Sequence, residues 1–231
     1  MTNDIGNRIF TKVCRPSKDI TERFRGIPSS NIGDMMNRLY CMREYIRRIG
    51  SKTDCMLGTA FTVKVPDGDN AFIHKALDLA EPGDILVVDG NGCVTRSLMG
   101  EVMFTYAQNK GLAGIVVDGA IRDWDSLKKL DIPVYAAGIT PQGPYKNGPG
   151  EINVPVSCGG QVVMPGDILV GDADGICVIR AAEAEKVVGM AEEKLWGEEA
   201  LLKRYRTIGN DTEEHDRKFT KITEALGTAY Y

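Results

Sequence analysis

Histidine is scarce in this sequence, with only His74 and His215 among 231 residues. A histidine-based catalytic triad or a histidine-rich metal site is therefore not expected, and acid–base chemistry should fall to carboxylates, arginine or bound water. His74 lies in a segment with helical spacing. A lone histidine on a helix is more often structural than catalytic, so we predict a structural role for it.

The six cysteines include no CxxC pair and stand 14 to 65 positions apart along the chain. That spacing does not fit a zinc ribbon. In a chain of this size we expect reduced and mostly buried thiols. Cys93 follows a glycine loop, but no base accompanies it in the sequence, so we interpret it as a spectator thiol rather than a nucleophile.

Long hydrophobic runs are also missing, because the longest span only five to seven residues. A membrane-spanning helix needs roughly 20 apolar residues. The opening MTNDIGNRIF has no apolar core of the signal-peptide kind. The net charge of −4 offers no basis for broad attraction to nucleic acid. We therefore expect a cytoplasmic protein whose partners are neither nucleic acids nor membranes.

What is present is an ordinary globular composition with alternating strand and helix patterns. Apolar runs at 85–88 and 113–118 predict buried strands, and residues 70–80 and 100–110 predict helices between and after them. This alternation is typical of an α/β fold. Further predictions are a helix over 34–48, a strand over 57–65, a flexible loop over 89–92, a short helix over 124–130 and several strands after residue 150.

From Ala181 onward the pattern is helical and charged, with one apolar stripe. We therefore predict two parts: an α/β domain over 1–180 and a helical C-terminal extension over 181–231. A polar helix with a single apolar stripe commonly packs on a neighbouring subunit. The extension is accordingly expected to contact a second copy of the chain.

Two glycine-containing loops approach ligand-binding motifs without completing them. Gly90-Asn91-Gly92 follows a strand, but Thr95 replaces the last glycine of a dinucleotide loop. The run 172–175 resembles the start of a calcium loop, yet Ile176 and Cys177 stand where an oxygen ligand and a glycine belong. We interpret the second run as a β-turn.

The strongest chemical pattern combines the run Gly100-Glu101-Val102-Met103 with the run 118–123, which ends in Arg122-Asp123. The first run opens a helix, whose free N–H groups favour an anion. Arg122 and Asp123 follow a buried strand, where open α/β sheets bind ligands. Arginine can fork onto a carboxylate, and neighbouring acids can share a hard divalent ion. Alternatively, Arg122 and Asp123 form a surface pair, and Glu101 is a favourable helix-start charge.

A longer series of motifs resembles the RraA-like family, which includes the divalent-metal 4-hydroxy-4-methyl-2-oxoglutarate aldolases and the regulators of ribonuclease E activity. The resemblance covers about Ser29 to Arg180. It implies a layered α/β sandwich with a swivelling β/β/α-like core, assembled as trimers or hexamers. The motifs are GEVM, AQNKGLAGIVVDGAIRD, IPVYAAG and EINVPVSCGGQVVMPGDILVGDADGICVI.

The resemblance also implies a lyase that uses Mg²⁺ or Mn²⁺ to cleave a small 2-keto acid to pyruvate through a metal-stabilised enolate. Decarboxylation of oxaloacetate would be a side activity. Arg122, Asp123 and Glu101 would be catalytic, and Gly100, Val102 and Met103 would bind substrate together with Arg122. Asp123 would bind the metal directly, and Glu101 would reach it through water. Glu199 of a neighbouring subunit, or alternatively Glu198, would complete the outer shell.

Two departures from the family pattern bear on the substrate. Aldolases of the family tend to carry an acid three positions after the aspartate, where this chain has Ser126, with Asp125 one residue early. Trp124 is also bulkier than expected beside the site. Two alternatives therefore stand beside the aldolase: a non-catalytic RraA-type regulator of ribonuclease activity, and a lyase for a different keto or sugar acid.

Overall fold

The computed structural model describes residues 4–229 and residue 231, which form two compact units. The first unit extends through Ala191, and the second begins at Glu192. The strands are β1 (Asn7–Ile9), β2 (Arg47–Gly50), β3 (Met56–Lys64), β4 (Asp84–Met99), β5 (Gly114–Ile121), β6 (Val134–Ile139), β7 (Gly150–Ile152), β8 (Val156–Cys158), β9 (Gln161–Val163), β10 (Ile168–Gly171) and β11 (Ile176–Ile179). The helices are α1 (Lys18–Arg23), α2 (Ser29–Met35), α3 (Ala71–Leu79), α4 (Glu101–Lys110), α5 (Trp124–Leu127), α6 (Ala184–Ile208) and α7 (Thr212–Ala225).

The first unit is organised around a sheet in the order β1-β7-β3-β4-β5-β6-β2. Strands β3, β4, β5 and β6 are parallel, while β2 runs antiparallel to β6 at one edge. The hairpin of β10 and β11 pairs with the start of β3. Because β4 and β5 are parallel neighbours, their carboxyl ends meet at the same edge of the sheet, where α/β folds place ligands.

The sheet is buried on both faces. On β4, Leu86 and Val88 pack in a cluster with apolar residues of α3 and α4. The alternate residues, Ile85 and Val87, pack in a second cluster with apolar residues of β8, β10 and β11. Burying each such side chain contributes about 1.5–3 kcal/mol. The helices therefore form one layer and the short strands another, which confirms the prediction of a layered α/β fold.

Strand β4 is longer than predicted, and the expected loop over 89–92 is wrong. The strand continues from Asp84 to Met99, with shifts in its pairing to β5 after Asp89, Cys93 and Ser97. Asn91 and Gly92 adopt left-handed backbone conformations, with φ of 58° and 66°. Such bulges bend a strand without ending it. This bent strand brings Met99 beside Ile121, the last residue of β5.

The predicted helix over 34–48 is also wrong. Helix α2 spans Ser29–Met35, and residues 47–50 form β2 instead. Asn37 and Arg38 both have positive φ, at 55° and 64°, and consecutive left-handed residues end a right-handed helix. Met42 and Ile46, which lie within the predicted helix, pack instead in the second apolar cluster of the sheet.

The second unit contains the C-terminal part of α6 and all of α7. Gly209, with φ of 89°, separates the two helices. Arg204 donates hydrogen bonds to Asp211 at 2.7 Å and Glu214 at 3.0 Å, which ties α6 to the start of α7. Across the described residues, no helix combines the length and apolar character that crossing a bilayer requires.

Candidate functional site

The two segments of the strongest sequence pattern meet at the carboxyl ends of β4 and β5. Gly100 connects β4 to α4 as the N-cap of that helix, while Arg122 and Asp123 connect β5 to α5. The Arg122 N–H donates to the Met99 carbonyl at 3.0 Å, which joins the two strand ends. The fold thus brings together residues that lie more than 20 positions apart in the chain.

The carboxylate of Asp123 caps a helix other than its own. Asp123 precedes α5 with φ of 63° and makes no side-chain cap to that helix. Its Oδ2 instead accepts a hydrogen bond from the Glu101 N–H, the first of α4, at 2.9 Å. Aspartate tolerates the left-handed conformation better than most residues. The negative charge also complements the positive end of the α4 dipole.

Arg122 stands beside this carboxylate. Its Nε lies 3.6 Å from Asp123 Oδ2, with both side chains partly exposed. An ion pair of this exposure adds little to the free energy of unfolding. The pair therefore leaves the guanidinium largely available to an anionic ligand.

Gly100 is required by the close approach of these side chains. A Cβ atom at this position would overlap Asp123 Oδ2 and would lie 2.9 Å from Arg122 Nε. The backbone of Gly100 is extended, so the requirement is one of space and not of φ. Glycine here lets the arginine and the aspartate lie against the start of α4.

A cleft of about 390 Å³ opens in front of this cluster. Its walls include five of the predicted site residues, and three polar residues that the sequence analysis did not assign to the site. The predicted residues are Gly100, Val102, Met103, Arg122 and Asp123, and the additional ones are Asn70, His74 and Lys146.

Asn70 and His74 come from the start of α3, four positions apart and therefore on one helix face. Asn70 is 3% exposed, and its Nδ2 donates to the Leu98 carbonyl at 2.9 Å. Its Oδ1 has no hydrogen-bond partner within residues 4–229 and 231. Burial, together with the charge of Lys146, lowers the pKa of His74. His74 therefore lies in the cleft wall, a position that the structural role predicted from the sequence does not account for.

Lys146 belongs to the Pro/Gly-rich connection over 140–150, which carries no recognisable motif. Only the i, i+4 spacing of Asn70 and His74 offered a sequence signal. Nothing in the sequence connects either residue to a lysine more than 70 positions away.

Of the other predicted residues in the described chain, Val102 and Met103 line the cleft, whereas the three glutamates, Glu101, Glu198 and Glu199, do not. Glu101 is exposed at the start of α4. The Met103 N–H, predicted to bind a keto acid, already donates to the Gly100 carbonyl at 3.0 Å, while Val102 is 82% exposed. Glu199 is exposed on α6 in the second unit, whereas Glu198 pairs with Lys194 at 2.7 Å. The metal-related role of Glu199 stays a prediction.

Asp123 supplies a single carboxylate for a possible metal. No group of three histidine, cysteine or acidic side chains converges in the described part of the chain. Mg²⁺ is commonly held by one or two carboxylates and keeps several waters, and Mn²⁺ also favours oxygen ligands. The donor set around Asp123 therefore fits a hard divalent ion whose other positions are filled by water, substrate or another chain. It does not fit a closed zinc site.

The two departures from the family pattern concern residues of α5. The Asp125 side chain is 92% exposed and accepts a hydrogen bond from Lys128 at 3.0 Å. The same ammonium group lies 3.9 Å from the centre of the Trp124 ring. Neither residue is among those that line the cleft. Trp124 therefore does not narrow the pocket of the single chain.

The fold and the site together define a mixed α/β protein with a cleft, lined by Arg122 and Asp123, at the ends of its parallel strands. The chain belongs to the RraA-like family, because the family model described as Aldolase/RraA matches residues 29–178. A relative from Halalkalibacterium halodurans is 41% identical over 193 residues, covering 84% of this chain and 90% of the relative. That relative is provisionally named a 4-hydroxy-4-methyl-2-oxoglutarate aldolase.

Two similar solved structures are described as RraA proteins, one an inhibitor and the other a member of an inhibitor family. The RNA-processing inhibitor RraA from Thermus thermophilis is 31% identical, with a TM-score of 0.61 over 66% of this chain and 92% of that one. Streptomyces coelicolor RraAS2, described as an unusual member of the RNase ES inhibitor RraA family, is 26% identical. Its TM-score is 0.72 over 82% of this chain and 100% of that one. The similarity thus extends to proteins with catalytic and with inhibitory names.

Proposed function

We propose that this protein is a divalent-metal-dependent lyase that cleaves 4-hydroxy-4-methyl-2-oxoglutarate-like 2-keto acids to pyruvate. The observation that carries the proposal is the convergence of Arg122, Asp123 and the start of α4 on one cleft. A guanidinium and a helix N-terminus both favour an anionic substrate. The provisional aldolase name of the relative from Halalkalibacterium halodurans supports the same chemistry.

Arg122 has two tasks in this proposal. It binds the 2-keto acid and orients a water that takes the proton from the 4-hydroxyl group. As the bond between C3 and C4 breaks, its electron pair passes to the pyruvyl fragment as an enolate. The guanidinium then stabilises the negative enolate oxygen, in a site whose donors are already in place.

Asp123 would hold the divalent ion, with Glu101 beside it at the start of α4. A bound Mg²⁺ or Mn²⁺ supplies Lewis-acid polarisation of the keto oxygen. Because the Glu101 N–H holds Asp123 Oδ2, the other carboxylate oxygen would be the one that binds the ion. Oxaloacetate decarboxylation requires the same enolate, and we expect it as a second activity.

Lys146 and His74 line the part of the cleft contributed by α3 and the 140–150 connection. Substrates of this class carry a second carboxylate, and a lysine beside the cleft offers a point charge for it. A neutral His74, consistent with its lowered pKa, can donate one further hydrogen bond to such a group.

A second candidate function is that of a non-catalytic, protein-binding regulator of ribonuclease activity. The likeness to the inhibitor RraA, at 31% identity, favours it. It predicts that the chain binds a ribonuclease whether or not Asp123 is intact. The residues Arg122 and Asp123 then have no role in its action.

The deciding experiment measures pyruvate release from 4-hydroxy-4-methyl-2-oxoglutarate and from oxaloacetate, with EDTA, Mg²⁺ or Mn²⁺. The matched variant is Asp123→Asn, whose amide oxygen can still accept from the Glu101 N–H. We expect turnover that needs metal and falls to the metal-only background in Asp123→Asn, with an unchanged thermal midpoint. Turnover in Asp123→Asn equal to wild type, or none in wild type with either metal, would contradict the proposal.

A further inference from the structure

Cys41 and Cys177 face each other across an isolated antiparallel bridge outside the candidate site. Cys41 follows α2, and Cys177 lies on β11. The flanking hydrogen bonds run from the Val178 N–H to the Tyr40 carbonyl and from the Met42 N–H to the Ile176 carbonyl, at 2.9 and 2.8 Å. The two cysteines are therefore a non-hydrogen-bonded pair, in which Cα atoms lie about 4.5 Å apart. That spacing falls within the range that a disulfide can bridge.

The two sulfur atoms are already side by side. Cys41 Sγ and Cys177 Sγ lie 3.6 Å apart, with both thiols free. Gly33 on α2 leaves the room they occupy, because a Cβ there would lie 2.8 Å from one sulfur and 3.5 Å from the other. The sulfurs would have to approach by about 1.5 Å to reach the S–S bond length of about 2.05 Å.

The two cysteines differ in their exposure to solvent. Cys41 is exposed, whereas Cys177 is 2% exposed, with its Sγ 3.1 Å from the Ser29 carbonyl oxygen. A hydrogen bond from the Cys177 thiol lowers the pKa of Cys41 to about 7. The hydrogen bond with Cys41 and burial raise the pKa of Cys177. Since the thiolate is the nucleophile in disulfide exchange, Cys41 is the thiol that reacts first.

We propose that Cys41 and Cys177 form a reversible disulfide when the protein meets a low-molecular-weight disulfide such as oxidised glutathione. The Cys41 thiolate attacks one sulfur of the reagent, forming a mixed disulfide and releasing one reduced thiol. Cys177 then loses its proton and attacks the Cys41 sulfur, which expels the second reduced thiol. In total the protein loses two electrons and two protons, and one reagent disulfide becomes two thiols.

The linkage would join the segment after α2 to β11, two parts of the chain separated by more than 130 positions. Closing so long a loop restricts the unfolded chain. The oxidised protein should therefore melt at a higher temperature than the reduced protein, and reductant should reverse the shift.

The experiment treats the full chain with oxidised glutathione, blocks the remaining thiols and measures intact mass. Tryptic mapping should then show peptide 39–43 linked to peptide 147–180. Because the second peptide also holds Cys158, fragmentation must place the bond at Cys177. We expect a mass that corresponds to four blocked thiols where the reduced protein has six, full reversal by a dithiol reductant, and the rise in melting temperature.

Two single variants provide the comparison. Cys41→Ser changes an exposed residue, so the protein should fold but form no linkage, while Cys14→Ser, also at an exposed position, should form it as wild type does. A wild-type protein that stops at the mixed disulfide on Cys41, or that links Cys41 to another cysteine, would overturn the proposal. Equal linkage in Cys41→Ser would overturn it as well.

Discussion

The position of Asp123 depends on the lack of a side chain at its neighbour. Its carboxylate caps α4, and the space it uses is the space a Cβ on Gly100 would fill. The arginine and carboxylate are thus held by contacts that add little stability but define their geometry. At the scale of single residues, Gly100 can be tested without touching either charged group.

We predict that Gly100→Ala lowers kcat/KM for metal-dependent pyruvate release by about 100-fold, the loss typical of a displacement of about 1 Å at reacting groups. The added methyl group must push Arg122 and Asp123 aside. Gly189→Ala is the matched control, since a Cβ there meets no atom within 4 Å. Steady-state kinetics of both variants check this. Equal activity in Gly100→Ala and Gly189→Ala would show that the close approach is unimportant.

Lys146 can be tested through substrate choice. We predict that Lys146→Met raises KM for dicarboxylate 2-keto acids about tenfold, equivalent to about 1.4 kcal/mol. A 4-hydroxy-2-keto acid without the second carboxylate should be unaffected, because it offers the lysine no partner. Lys129→Met, at an exposed position, is the control. If Lys146→Met raises KM equally for both substrates, the lysine does not contact the second carboxylate.

At the scale of elements, strand β5 connects the site to a buried carboxyl group. Asp118 is 6% exposed, and its Oδ2 accepts from the Gly159 N–H at 2.9 Å and from Tyr45 at 3.2 Å. Its Oδ1 is buried without a partner in the described residues. Burial raises the pKa of Asp118 above the usual value of 3.8.

The sign of the resulting pH dependence follows from proton binding. With a raised pKa, the folded protein binds the Asp118 proton more readily than the unfolded chain, so its free energy of unfolding falls as pH rises through the folded pKa. We predict that Asp118→Asn becomes more stable relative to wild type from acidic to neutral pH. Urea unfolding at several pH values measures this. The exposed Asp125→Asn should show no trend, and a trend of opposite sign for Asp118→Asn would refute the prediction.

The elements also show what sequence patterns could and could not predict. Helix α4 and strands β3 and β5 follow local periodicity, and their ends place Gly100, Arg122 and Asp123 together. Beyond Asp89, β4 continues through bulges while it pairs with β5. Local sequence patterns do not reveal this long-range pairing. The helix expected over 34–48 does not form, because Met42 and Ile46 pack against the face of the sheet that is covered by β8, β10 and β11.

At the scale of the whole molecule, the second unit carries exposed apolar side chains, among them Trp196, Leu202 and Phe219. Exposed apolar surface of this kind commonly marks a contact with a partner. Two predictions therefore need an assembly of several chains. One is that the extension packs on a neighbouring copy, and the other is that Glu199 completes a neighbour's site. A complementation experiment addresses both.

We predict that Asp123→Asn and Glu199→Gln are each strongly impaired alone, yet regain activity when the two differently tagged chains are produced together. A mixed assembly contains sites in which Asp123 comes from one chain and Glu199 from the next, both intact. With random mixing in a closed ring, about a quarter of the sites are of this kind. Purification through both tags removes unmixed assemblies, so the doubly purified mixture should give about a third of wild-type turnover if the ring is a trimer and about a quarter if the assembly is a hexamer. Glu198→Gln, whose native side chain pairs with Lys194, should be nearly fully active alone. Without recovery in the mixture, Asp123 and Glu199 must act from the same chain or Glu199 must act elsewhere.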